Sequence, residues 1–220
     1  MFHALNRLKV VVLILGAGAI SVLTPQDASA QEQTAIVAGG CFWCVESDFE
    51  GVPGVGDVVS GYTGGTTESP TYKQVGAGGT GHYEAVMIPF DAGQISYREI
   101  MDLFFRSVDP TDAGGQFCDR GDSYRTAIFV GTEEQAKIAT EAKAAAQQEL
   151  GQHIVTPLLQ AGTFYRAEDY HQNYYKGDGF VLTRGGPKSQ SSAYDFYRKG
   201  CGRDSRVEQL WGIDAPFIHH

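Results

Sequence analysis

Thr34-Ala35-Ile36-Val37-Ala38-Gly39-Gly40-Cys41-Phe42-Trp43-Cys44-Val45 joins a short apolar run to two glycines and a pair of closely spaced cysteines. The run 34–38 predicts a strand. The glycines allow a sharp turn. Val45, Phe49 and Val52 recur at about one helical turn, so a helix should open near Cys41. Cys41 then lies at a helix N-terminus, beside unpaired amides and the positive end of the dipole. Both favour the thiolate, which is the nucleophilic form of the side chain.

Downstream, residues 55–62 and 83–89 read as strands, and residues 63–81 as a loop rich in glycine, serine and threonine. Ser96 followed by Glu99, and Thr132 followed by Gln135, have the capping-box pattern and should open helices, the second alanine-rich and running to about Leu150. Residues 109–123 form a further loop. Residues 125–130 and 154–161 predict strands, 165–175 an aromatic-rich segment helical in part, and 177–192 a loop. A short helix follows Cys201 through Val207, Leu210 and Trp211. Several connections are too short for a fully parallel sheet. The expected fold is therefore α+β: a two-layer sandwich with helices packed on a mixed, ferredoxin-like sheet.

Residues 1–30 read differently. Arg7 and Lys9 precede an apolar run from Val10 to Leu23, and Ala28-Ser29-Ala30 follows. This is the plan of a secretory signal peptide. The alternative, a membrane anchor, needs roughly 20 apolar residues. The expected organisation is a signal peptide over 1–30 and a catalytic domain over 31–220, secreted to the periplasm and without stable membrane association. The 220 residues carry a net charge of −9, which becomes −10 without Arg7, Lys9 and Asp27. Such a balance argues against nucleic acid and anionic membrane surfaces as partners.

The four cysteines are Cys41, Cys44, Cys118 and Cys201. An even count in a secreted chain usually means structural disulfides, but a Cys-x-x-Cys pair more often signals redox chemistry. Zinc would need a second close pair of ligands, and Cys118 and Cys201 are isolated, so no metal is expected. Without a family to compare, two functions compete: a secreted thiol–disulfide oxidoreductase using Cys41 and Cys44, and a non-catalytic disulfide-stapled binding module.

The Gly-Cys-Phe-Trp sequence at 40–43 resembles the signature of the A-type peptide methionine sulfoxide reductases. Further blocks resemble that family in the same order: Ser60 to Gly65, Pro70-Thr71-Tyr72, Gly79 to Val86, Asp109 to Asp112, Asp119 to Arg125, and Ala167 to Gln172. The resemblance spans 36–211. It implies thiol-dependent reduction of the S-sulfoxide of methionine, free or in oxidised proteins. The steps are a sulfenic acid on Cys41, then an intramolecular disulfide reopened by a thioredoxin-like reductant, with no cofactor.

By resemblance, Glu84 is the buried acid, Tyr72 and Tyr124 hydrogen-bond the sulfoxide oxygen, and Asp119 helps order the site. Phe42 and Trp43 receive the substrate's S-methyl group. Taken alone, Glu84 would be a cross-strand surface residue, the tyrosines half-buried packing, and Asp119 a turn residue before Gly121. His82 and His171 read as hydrogen-bonded structural histidines. The family resolves its sulfenic acid with a second cysteine of variable position. Cys201, flanked by glycines, is the favoured candidate here and Cys44 the rival. Cys118 could be a relay thiol or a buried apolar residue.

Overall fold

The computed structural model describes residues 32–218. The expected signal segment and the terminal His219-His220 lie outside them. Strand β1 (Glu32–Gly39) leads into helix α1 (Phe42–Glu50), then β2 (Val59–Thr63), α2 (Tyr72–Ala77), β3 (Tyr83–Asp91) and α3 (Tyr97–Phe105). A short hairpin, β4 (Gly115–Gln116) with β5 (Asp119–Arg120), precedes β6 (Thr126–Val130), α4 (Glu133–Leu150), β7 (Leu158–Gln160) and β8 (Tyr165–Arg166). The chain ends with hairpin β9 (Phe180–Thr183) and β10 (Gly186–Ser189), α5 (Gln190–Gly200) and α6 (Arg203–Trp211).

The main sheet has six strands in the order β7-β6-β1-β3-β2-β8. Its central four, β6-β1-β3-β2, are antiparallel throughout, and β7 joins β6 in parallel. This is the mixed, ferredoxin-like α+β sheet expected from the element order. Alternation along β3 decides what each face does. Val86, Ile88 and Phe90 point to the face covered by Val45 and Phe49 of α1, by Ile100, Met101 and Phe104 of α3, and by the alanines of α4. Tyr83 and Ala85 point the other way, to a thinner cluster with Phe129 and Phe164. Glu84 shares its parity with Val86, so a carboxyl group is aimed into the helix-covered face.

Ser96 forms the full capping box with Glu99. Thr132 caps α4 through the Gln135 amide, but the Gln135 side chain serves Gly131 and Thr34 instead of closing the box. Helix α1 stops at Glu50, short of Val52. Strand β2 begins at Val59, and Val55 makes only an isolated bridge to Phe90. The supposed loop 63–81 contains α2, opened by a capping box of Thr71 and Gln74. The supposed loop 177–192 is the β9–β10 hairpin and the start of α5. Among the described residues no helix is long and apolar enough to cross a membrane.

Candidate active site

The β1–α1 junction is built around two glycines for different reasons. A Cβ on Gly39 would lie 2.9 Å from side-chain carbons of both Val45 and Val108. Gly40 has φ +83°, and its Cβ would lie 2.5 Å from Cβ of Gln116. Gln116 cannot retreat, because its side-chain amide is bonded at 2.8 Å to both the N–H and the C=O of Asp109. The turn leaves Cys41 as the N-cap of α1, with no capping hydrogen bond from its side chain. Its sulfur is therefore free to face the cavity beside it.

Glu84 sits behind that sulfur, 2% exposed, and accepts the Phe42 N–H at 3.2 Å. Burial pushes its pKa up to about 8, and the nearby Asp119 charge adds to this; the bonds from Phe42 and Tyr124 oppose the rise. A raised carboxyl pKa is the state a proton donor needs near neutrality. Tyr124 lies beside both Glu84 and Tyr72 and opposes the rise at each. Burial first, then the Glu84 charge, raises the pKa of both phenols, which stay protonated. Asp119 is raised by burial too. Cys41, Trp43, Tyr72, Asp119 and Tyr124 all open onto one cavity of about 570 Å³. The sequence-predicted acid, phenols and nucleophile thus converge.

The apolar wall has its own support. Phe42 is buried against Tyr62 and Tyr72. Trp43 stacks on Tyr174, with centroids 3.7 Å apart and planes 5° from parallel. Its indole N–H donates to Nδ1 of His171 at 3.1 Å. Burial lowers His171 to a pKa of about 4, so the ring is neutral, with its proton on Nε2. Glu168 accepts from the Tyr62 hydroxyl and the Tyr72 N–H, both at 2.9 Å. It thereby fixes α2 against the sheet. His82 is structural: its Nδ1 accepts from Gly65 N–H, and Nε2 donates to the Thr67 carbonyl at 2.8 Å. Sequence reasoning missed Tyr62, Glu168 and Tyr174. Tyr62 and Glu168 stood within quoted family blocks, but Tyr174 was indistinguishable from the chain's other tyrosines.

The cysteines depart from expectation in two ways. Cys201 is disulfide-bonded to Cys118, while Cys41 and Cys44 are free. Cys201 therefore does not face Cys41 as a thiol in this state; Cys44 does. The expected order of acidity is also reversed, with the Cys41 thiol raised and the Cys44 thiol lowered. Cys41 donates a hydrogen bond to Cys44, which with burial raises its own pKa, and the acidic side chains of Glu84 and Asp119 add to the rise. Cys44 accepts that bond and sits near Arg203 and Arg198; against the cost of burial, its pKa falls to about 7. All four cysteines line the same cavity. Among the described residues no cluster of His, Cys, Asp and Glu could hold a metal ion.

A model of the peptide methionine sulfoxide reductases matches residues 33–195. A peptide methionine sulfoxide reductase of Rhizobium meliloti is 48% identical over 85% of this chain and 87% of its own. One of Caulobacter vibrioides is 45% identical over 91% and 98%. Among solved structures, methionine sulfoxide reductase A of Corynebacterium diphtheriae superimposes with a TM-score of 0.64 at 30% identity, covering 73% of this chain and 85% of that one. The reduced form of Mxr1 from Saccharomyces cerevisiae gives 0.62 at 32% identity, covering 65% and 83%. A disulfide oxidoreductase or a stapled binding module would leave Glu84, Tyr72 and Tyr124 without a task; the chain belongs to the peptide methionine sulfoxide reductases, enzymes of thiol-dependent sulfoxide reduction.

Proposed function

We propose that Cys41 reduces the S epimer of methionine sulfoxide in oxidised proteins, with Glu84 as the acid. The observation that carries this reading is a buried carboxyl group, its pKa raised, beside a cavity-facing thiol and the cavity-lining phenols of Tyr72 and Tyr124. The Cys41 sulfur attacks the sulfoxide sulfur as its proton passes to the hydrogen-bonded Cys44. The sulfoxide oxygen, held by Tyr72 and Tyr124, takes its proton from Glu84 and ends on Cys41 as a sulfenic acid. Methionine leaves reduced by two electrons, and Cys41 is oxidised by two. Phe42 and Trp43 take the S-methyl group, and Asp119 orders the opposite side. A fixed methyl wall and fixed oxygen donors cannot accept both hands of a chiral sulfur equally.

Cys44 then closes on Cys41, and water is released. The Cys118–Cys201 pair, reduced beforehand, exchanges with the Cys41–Cys44 disulfide and carries the oxidation outward. A thioredoxin-like dithiol reduces the outer pair. Cys118 is exposed and Cys44 is buried, so a protein reductant reaches the outer pair more easily. The apolar segment at 10–23 supports export to the periplasm, and the acidic charge speaks against nucleic acid and anionic membrane surfaces as partners. Single-turnover assays on separated epimers test the reading. Cys41→Ser should form no methionine from either, and wild type should act on the S epimer; methionine from the variant, or equal rates on both epimers, would overturn it.

A further inference from the structure

The buried charges on the far side of α1 have no part in the chemistry so far. Asp48 lies one turn beyond Cys44 on the same helix. Arg198 of α5 contacts it at 2.7 Å and Arg203 of α6 at 3.4 Å. Both arginines are buried, 5% and 2% exposed, and both line the cavity that holds Cys41 and Cys44. Arg198 also binds the Tyr194 hydroxyl and the Phe217 carbonyl, each at 2.8 Å. Arg203 donates to the Ser107 carbonyl at 2.8 Å, and its guanidinium lies 4.8 Å over the Phe117 ring. Its Nε has no partner among the described residues.

Burying such charges is costly unless they are balanced. Asp204 pairs with Arg198, but it is partly exposed and belongs to the outer edge of the cluster. Asp48 and Asp204 balance the two guanidinium groups in number, but Arg198 and Arg203 line the cavity with Cys44 and neither of those carboxylates does. Around the paired thiols the charge is polarised. Glu84 and Asp119 stand on the Cys41 side, and the arginines stand on the Cys44 side. The other titratable groups near Cys44 are the phenols Tyr174 and Tyr194. The arginines also flank Cys201, so the Cys118–Cys201 disulfide tethers the segment that carries them. Both lie beyond residues 33–195, the part the family model matches.

We infer that Arg198 and Arg203 are positioning residues whose cavity-lining guanidinium charges hold Cys44 as the thiolate that closes on oxidised Cys41. This rests on the reading that Cys44 resolves the sulfenic acid. Cys44 gives up to the cavity the proton it took from Cys41, and its thiolate attacks the Cys41 sulfur; an S–S bond forms and the S–OH bond breaks. The oxygen leaves with a proton supplied from the cavity, as water. No other reductant enters this step, because the two thiols together have supplied the two electrons that reached the sulfoxide. The C-terminal segment thus determines how fast the sulfenic acid is trapped and protected from further oxidation. The Cys44 thiol is lowered first by the hydrogen bond from Cys41 and then by the Arg203 and Arg198 charges, in line with the arrangement.

The test uses the full chain with Cys41→Ser and the outer disulfide intact, so that Cys44 is the free thiol whose ultraviolet thiolate absorbance is followed against pH. Arg203→Met should raise the Cys44 midpoint by about one pH unit, a tenfold loss of thiolate below it. Asp48→Asn should lower it, because an opposing negative charge is removed. Arg203→Lys keeps the charge and should hold the midpoint near its starting value even if stability falls. A structural role alone predicts no such opposed shifts. Unmoved midpoints, or Arg203→Met and Asp48→Asn shifting the same way, would overturn the inference. In the enzyme with Cys41 present, Arg203→Met should still yield one equivalent of methionine but close the Cys41–Cys44 disulfide about tenfold more slowly near pH 6. If Cys44→Ser forms a Cys41 disulfide with another cysteine at the wild-type rate, the resolving role of Cys44 fails, and with it the use assigned to this charge; the titration would then report the charge effect separately.

Discussion

Glu84 is the residue whose physics most directly sets the chemistry. Its carboxyl is removed from water and raised to about 8, so it is a neutral donor through the neutral range. Glu84→Gln keeps the shape and a hydrogen-bond donor but offers no acidic proton. Single-turnover methionine formation should fall by about 10²-fold or more, and its decline above about pH 8 should disappear. Stability provides an independent measurement. In the unfolded chain this group ionises near its ordinary value, while the folded protein retains the proton. The unfolded state therefore binds fewer protons between the two values, and stability falls as pH rises from about 4.5 toward 8. Denaturant titrations should show Glu84→Gln with a shallower loss over that window; equal slopes would place the proton elsewhere. None of this was legible in Glu84 itself, whose strand of mixed polarity fits a surface pair equally well. Only its family block pointed inward.

His171 illustrates the same limit from the other direction. Read as a structural histidine, it is hydrogen-bonded and neutral, yet its ring fixes the indole of Trp43. His171→Ala should loosen the methyl wall and lower kcat/KM by roughly 10-fold to 10²-fold, the scale at which small misplacement costs rate. Trp43 fluorescence should change with it. An unchanged spectrum together with an unchanged kcat/KM would remove His171 from the support of the wall.

At the scale of elements, the strand–Gly–Gly–helix junction was readable because glycine pairs, apolar runs and helical spacing are local signals. The box at Ser96 was readable for the same reason. Helix α5 was not: one wall of it is Ala193 and Tyr194, but the turn after them buries Arg198 on Asp48. An ion pair across the fold leaves no apolar period in the sequence. The β9–β10 hairpin was missed because Phe180 and Leu182 point outward, reversing the usual alternation. The junction also yields a sharp test. Gly40→Ala meets a positive φ and a locked Gln116 together. It should cost about 1–3 kcal/mol of stability and displace Cys41, lowering the midpoint of thermal unfolding and the methionine burst together. A variant with normal stability and a full burst would show that the turn relaxes freely.

At the scale of the whole molecule, the outer disulfide closes a loop between residues 83 apart in sequence. Cross-linking so long a loop restricts the unfolded chain and stabilises the fold by roughly 2–4 kcal/mol. A stability term of that size would then depend on the redox state of the enzyme. The sequence showed four cysteines but not their pairing, because proximity of Cys118 and Cys201 is created by β4–β5 and the α5–α6 turn meeting over α1. Two consequences separate an outer relay from a passive staple. Cys201→Ser should melt about 5–10 °C below the oxidised wild type, and unlike wild type should be insensitive to added reductant. It should also give a full burst of methionine and a Cys41–Cys44 disulfide, then recycle slowly with a thioredoxin-like reductant, because the remaining disulfide is largely buried. A passive staple predicts the same loss of stability with wild-type recycling. Mass spectrometry of the oxidised enzyme, digested without reduction at successive times, follows the transfer: with all four thiols reduced at the start, the Cys41–Cys44 linkage should appear first and decay into Cys118–Cys201. A direct Cys41–Cys201 linkage accumulating ahead of Cys41–Cys44 would return the resolving role to Cys201 and leave the sulfoxide chemistry of Cys41 and Glu84 as it stands.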